Sequence, residues 1–90
     1  MKTFKRTIEG NIGCEVDVTK WDCNREQPHC HITYNGKRVG QVWTSSITFE
    51  RGIPDELSSR QANTVLDFVR DNRYEIEDVY NHNRTNGADG

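Results

Sequence analysis

Apolar material is what this 90-residue chain has least of: only 32% of its residues are hydrophobic, and its mean hydropathy is −0.93. No run approaches the ~18 consecutive apolar residues of a membrane-spanning helix, so no membrane association is expected. The basic opening, MKTFKRTIEGN, is followed by no apolar stretch, and no secretory leader is expected either. Cysteine is sparse and odd in number, three in all. Without a secretion signal, free thiols are the natural reading, not a disulfide framework. A strong excess of charge is also lacking. The net charge is −2 and the isoelectric point is near 5.9, which argues against a chain that lives on nucleic-acid phosphates. A soluble, cytoplasmic protein is expected.

What remains fits one small domain with a thin core. The segment NHNRTNGADG, residues 81–90, holds one aliphatic residue, Ala88, and reads as a flexible tail beyond a domain spanning residues 1–80. Charge is uneven along the chain. Residues 1–51 carry eight Lys or Arg against six Asp or Glu, and residues 52–90 carry four against eight. The acidic helical half reads as a solvated face that could attract a basic partner protein.

Alternation dominates the first half. In GCEVDVT, residues 13–19, Cys14, Val16 and Val18 share one side, which is the pattern of a half-buried strand. TFKRTIEG makes a weaker strand ahead of it, with Gly10-Asn11 as the turn. The runs HCHITY and KRVGQVW flank Asn35-Gly36, the strongest short hairpin signal, because both central residues of a type I′ turn need positive φ. A two-residue loop places Tyr34 opposite Lys37, Thr33 opposite Arg38, Ile32 opposite Val39, His31 opposite Gly40 and His29 opposite Val42. Cys30, Ile32, Tyr34, Val39 and Trp43 then form the inner face. His29, His31, Thr33 and Arg38 form the exposed one. A bulge at Gly40 would exchange the later pairs, because one extra residue inverts side-chain parity. SITFERG adds a short strand closed by Gly52 and Pro54.

The second half is helical. Ser58 and Gln61 read as a capping box. Ala62, Val65, Leu66 and Val69 recur at helical spacing. Asn72 with Glu75 could cap a second stretch carrying Ile76, Val79 and Tyr80. Strands first and helix last define an α+β fold: an antiparallel sheet of three to four strands with a C-terminal helix, or two, packed on one face.

The chemistry centres on His29 and His31. Alternate strand positions put both imidazoles on one face. With Arg38 and Thr33 beside them, three functional classes stay open. A binding or regulatory module would use this face, or a sheet edge, to hold a protein partner. A metal-independent, toxin-like ribonuclease acting on RNA would use His29 and His31 as acid and base, with Arg38 on the phosphate. A zinc-dependent fold would draw on Cys23, Cys30, His29, His31 and Cys14, but the spacing is poor and a regular strand points Cys30 away from both histidines. Packing is the expected role of Cys14 and Cys30, so no metal or cofactor is expected. Trp43 is expected in the core, Trp21 as a loop anchor and His82 in solvent. Unpaired edge strands leave room for a homodimer.

The order Pro28-His29-Cys30-His31, Tyr34-x-Gly36, a strand, Gly52-Ile53-Pro54 and an amphipathic helix resembles a small bacterial family of unknown function. That family is marked by a Pro-His-Phe-His motif, a Gly-x-Leu-Pro turn and a closing helix that ends near an aromatic residue. The resemblance covers roughly residues 12–80. Cys30 stands where phenylalanine is usual and Tyr80 where tryptophan is common, and the Asp-His-x-Pro lead-in is absent. The resemblance implies a gene neighbourhood like that of toxin–antitoxin pairs, and with it a protein partner. It implies no established activity.

Overall fold

Among the described residues, five short strands precede two helices. The computed structural model describes residues 2–16 and 27–86. The strands are β1 (Lys5–Glu9), β2 (Ile12–Glu15), β3 (His29–Tyr34), β4 (Lys37–Trp43) and β5 (Thr48–Phe49). They form one sheet in the order β1-β2-β3-β4-β5, and every neighbouring pair is antiparallel. The sheet therefore has five strands where three to four were expected. The excess arises because both weak candidates form: β1 turns into β2 through Gly10, at φ +50°, and the two-residue β5 pairs with the end of β4. Val18, Trp21 and Cys23 lie outside the described residues.

The β3–β4 hairpin turns at Asn35 and Gly36, both at positive φ (54° and 81°), as an Asn-Gly type I′ turn requires. Beyond the first two pairs the expected register fails. Thr33 lies opposite Arg38, but Ile32 lies opposite Gly40, His31 opposite Gln41, Cys30 opposite Val42 and His29 opposite Trp43. Val39 is the extra residue of a bulge, one position before the site where a bulge would have been read. Parity inverts beyond it. Val42 becomes the fully buried residue, and Trp43 joins the face of His29 instead of the core. The bulge also sets a glycine opposite Ile32. A Cβ on Gly40 would lie 3.0 Å from Pro54 Cγ, so the segment leaving β5 packs against bare backbone there.

Helix α1 (Ser59–Asp71) opens on the expected reciprocal cap. Gln61 N donates to Ser58 Oγ at 3.1 Å, and Ser58 N donates to Gln61 Oε1 at 2.8 Å. Its Ala62, Val65 and Val69 are buried. Helix α2 (Arg73–Asn86) follows after a single joint residue, Asn72. Asn72 caps the end of α1, its Nδ2 donating to the Phe68 carbonyl at 2.8 Å, while its own carbonyl accepts from Ile76 N. The helices cover one face of the sheet. Ile12, Cys14, Cys30, Ile32 and Val42 meet Val65, Val69, Ile76, Val79 and Tyr80 in one buried cluster. Each fully buried aliphatic side chain contributes about 1.5–3 kcal/mol against the ordering cost.

The tail expected from residue 81 begins as helix instead, since α2 continues to Asn86. The reason lies at the other end of the chain. Asn83 is fully buried and answers both backbone groups of Lys2. Lys2 N donates to its Oδ1, and its Nδ2 donates to the Lys2 carbonyl, each at 3.1 Å. His82 is accordingly half-buried on α2, not free in solvent.

Candidate functional site: the polar face of the sheet

On the sheet face opposite α1 and α2, the pairing register lays the side chains in rows. Lys5, Glu15, His31 and Gln41 form one row across β1 to β4. Thr7, Gly13, Thr33 and Arg38 form the next. His29 and Trp43 stand at the end of the face, beyond His31.

His29 departs from expectation. It is 3% exposed, so the pair of histidines does not present two open rings. His29 meets three aromatic neighbours edge-to-face, with centroid distances of 5.2 Å to His31, 5.7 Å to Trp43 and 5.3 Å to Tyr80. Tyr80 belongs to α2. The first residue of β3 is thus reached by the helix layer, although alternation points it away from that layer. Its Nδ1 lies 2.7 Å from the Gln27 carbonyl. A carbonyl can only accept, so Nδ1 carries a proton and donates it to this bond. Edge-to-face aromatic contacts contribute about 0.5–1.5 kcal/mol each beyond burial. His29 is a fixed prop at the sheet end, and His31, half-buried, is the ring nearer the open face.

Arg38 lies where the sequence placed it, opposite Thr33, and it is engaged. Its Nε donates to Glu15 Oε1 at 2.9 Å. Glu15 is on β2, so the arginine side chain crosses the width of β3 to reach it. A guanidinium held by a carboxylate is not waiting for a phosphate. The sequence placed Glu15 on the outer side of its strand but offered no link to Arg38, because thirteen residues separate β2 from β3.

The thiols lie on the other side. Cys14 and Cys30 are buried and free, on the core face opposite to the polar rows. A hydrogen bond to Cys30, followed by burial, pushes the Cys14 thiol far above its ordinary range. Neither thiol can join His31 at one ion, and among the described residues no group of three or more His, Cys, Asp or Glu side chains is gathered to hold a metal. Among these residues no helix is long and apolar enough to cross a membrane.

Fold and face together define a small α+β domain with one helix-covered sheet face and one polar one. Comparison with protein-family models, with curated proteins and with solved structures finds no match.

Proposed function

We propose that the chain is a binding or regulatory module that holds a protein partner on the polar face of its sheet. The observation that carries this reading is the two-row lattice, in which Glu15, His31, Thr33, Arg38 and Gln41 are brought together from three strands. These side chains stand on a rigid, core-backed sheet. Such a surface offers hydrogen-bond donors and acceptors at fixed spacing, which gives specificity at low ordering cost. In this reading His31 and the Arg38–Glu15 pair touch the partner, while His29 positions His31. The resemblance to the Pro-His-x-His family suggests a bacterial, cytoplasmic setting and a first partner to try, the product of the neighbouring small gene.

The test is co-expression of the two chains, followed by calorimetry and NMR mapping. The expected result is a stable complex that shifts the amides of His31, Thr33 and Gln41 and is weakened at least about fivefold by Arg38→Glu. A complex that leaves those amides unmoved would overturn the reading.

The ribonuclease reading retains one supporting observation: the His29 and His31 rings lie side by side, 5.2 Å between centroids. Two facts weigh against it, the burial of His29 and the pairing of Arg38 with Glu15. Incubating the protein with RNA in the presence of EDTA tests it. Cleavage that disappears in His31→Ala would favour the enzyme over the module.

A further inference from the structure

The same face carries a groove at its β1 end, away from the histidines. It has a volume of about 480 Å³, within the roughly 300–1,000 Å³ of ligand clefts. Lys5, Thr7, Asn11, Gly13, Glu15 and Thr33 line it. Its floor is Gly13. A Cβ there would stand 2.7 Å from Thr33 Oγ1, so the threonine hydroxyl already leans over bare backbone. The register sets Thr7 on the opposite side of that glycine, and a hydroxyl flanks the notch on each side.

Charge gives the groove its sign. Its neighbouring cations are engaged: Lys2 with Asp78, Arg6 with Glu75 and Arg38 with Glu15. Lys5 is exposed and has no carboxylate partner among the described residues. Its cross-strand neighbour is Glu15, whose carboxylate is turned to Arg38. Lys5, Glu15 and Arg38 together leave one positive charge on the patch.

We infer that this groove, where the ammonium of Lys5 stands beside the hydroxyls of Thr7 and Thr33 over the bare backbone of Gly13, receives a glutamate- or aspartate-bearing segment of a protein partner. The inference rests on the module reading and names the chemistry of its partner. One ammonium and two hydroxyl donors match one carboxylate. Glu15, lying next to Lys5, is paired with Arg38 and does not cancel the ammonium. No aromatic side chain lines the groove, so it offers no platform on which RNA bases could stack.

The experiment titrates the full chain with capped hexaglutamate, capped hexalysine, inorganic phosphate and hexauridylate at constant ionic strength, with amide NMR as the readout. Hexaglutamate is expected to bind saturably and to shift Thr7, Gly13 and Thr33. Lys5→Glu should weaken it by about fivefold or more, and Thr33→Val should weaken it less. Lys5→Met, which removes charge without adding any, serves if the reversal lowers the melting temperature. Three results would each overturn the inference: no saturable hexaglutamate binding, binding indifferent to both Lys5 variants, or tighter binding of hexauridylate. Equal shifts from inorganic phosphate would also overturn it, by reducing the site to a bare counterion position. A partner that binds the His31 end but ignores Lys5 removes the groove and leaves the module standing.

Discussion

At the scale of single residues, the two histidines carry different loads. His29 is packed among three rings and tied to Gln27, whereas His31 is half-buried. His29→Ala should cost about 2–3 kcal/mol of stability, through lost burial and aromatic contact. His31→Ala should cost under about 1 kcal/mol and act on binding instead. Urea melts of both variants check this, and equal costs would contradict the division of roles. Cys14 supplies a second prediction. Its folded-state pKa is raised, so its contribution is complete below the ordinary thiol value of about 8.5 and is lost as pH climbs above it, when the unfolded chain releases a proton that the folded chain keeps. Above that pH the stability should fall with a slope approaching about 1.4 kcal/mol per pH unit for this group. Cys14→Ala should flatten that alkaline limb relative to wild type, and denaturation curves from pH 7.5 to 10 measure the difference. Alternation in the sequence foretold the packing of this thiol. The burial of His29 was not foretold, because it depends on a helix residue fifty-one positions away.

Among the elements, the hairpin shows how much is written locally and how much is not. Asn35-Gly36 announces its turn because the backbone there needs positive φ at two successive residues, a demand few sequences meet. Gly36 sits at φ +81°, so Gly36→Ala should cost about 1–2 kcal/mol in strain, read as a lower midpoint in thermal melts. Helix α1 was equally legible, since cap and periodicity both come from short-range rules. The bulge at Val39 was not, because Val39 and Gly40 satisfy alternation in either register. The choice falls to contacts distant in sequence: Pro54 against Gly40, and Val42 under the helices. That single inserted residue moved Trp43 from the expected core to the His29 end of the polar face. The sequence therefore placed His31, Thr33 and Arg38 on one sheet face, as the pairing does, but could not set Glu15, Gln41 and Trp43 beside them, because their places follow from strand pairing.

For the molecule as a whole, the fold is closed by joining its two ends. Lys2 meets Asn83 and Asp78, and Arg6 meets Glu75, so β1 and the strand-leading segment are fastened to α2 across nearly the full length of the sequence. The three contacts are of unequal weight. The ion pairs are exposed, and although Lys2 holds the Asp78 carboxyl below its usual range, solvent and salt screen such pairs. The Asn83 amide is different. It is fully buried and satisfies one backbone donor and one backbone acceptor at once, as a neighbouring strand would. Asn83→Ala strands both Lys2 groups and should cost about 1–3 kcal/mol. For a domain of this size that lowers the melting temperature by roughly 5–20 °C. Replacing Asp78 with Asn, or raising salt to 0.5 M, should move the midpoint far less. Were the order reversed, with salt melting the domain and Asn83→Ala inert, the closure would be electrostatic and the helix beyond residue 80 dispensable. A chain ending at Tyr80 decides the same point independently. It removes the clamp while keeping the aromatic ring under His29, and it should be less stable than Asn83→Ala itself, because the last turns of α2 go with it.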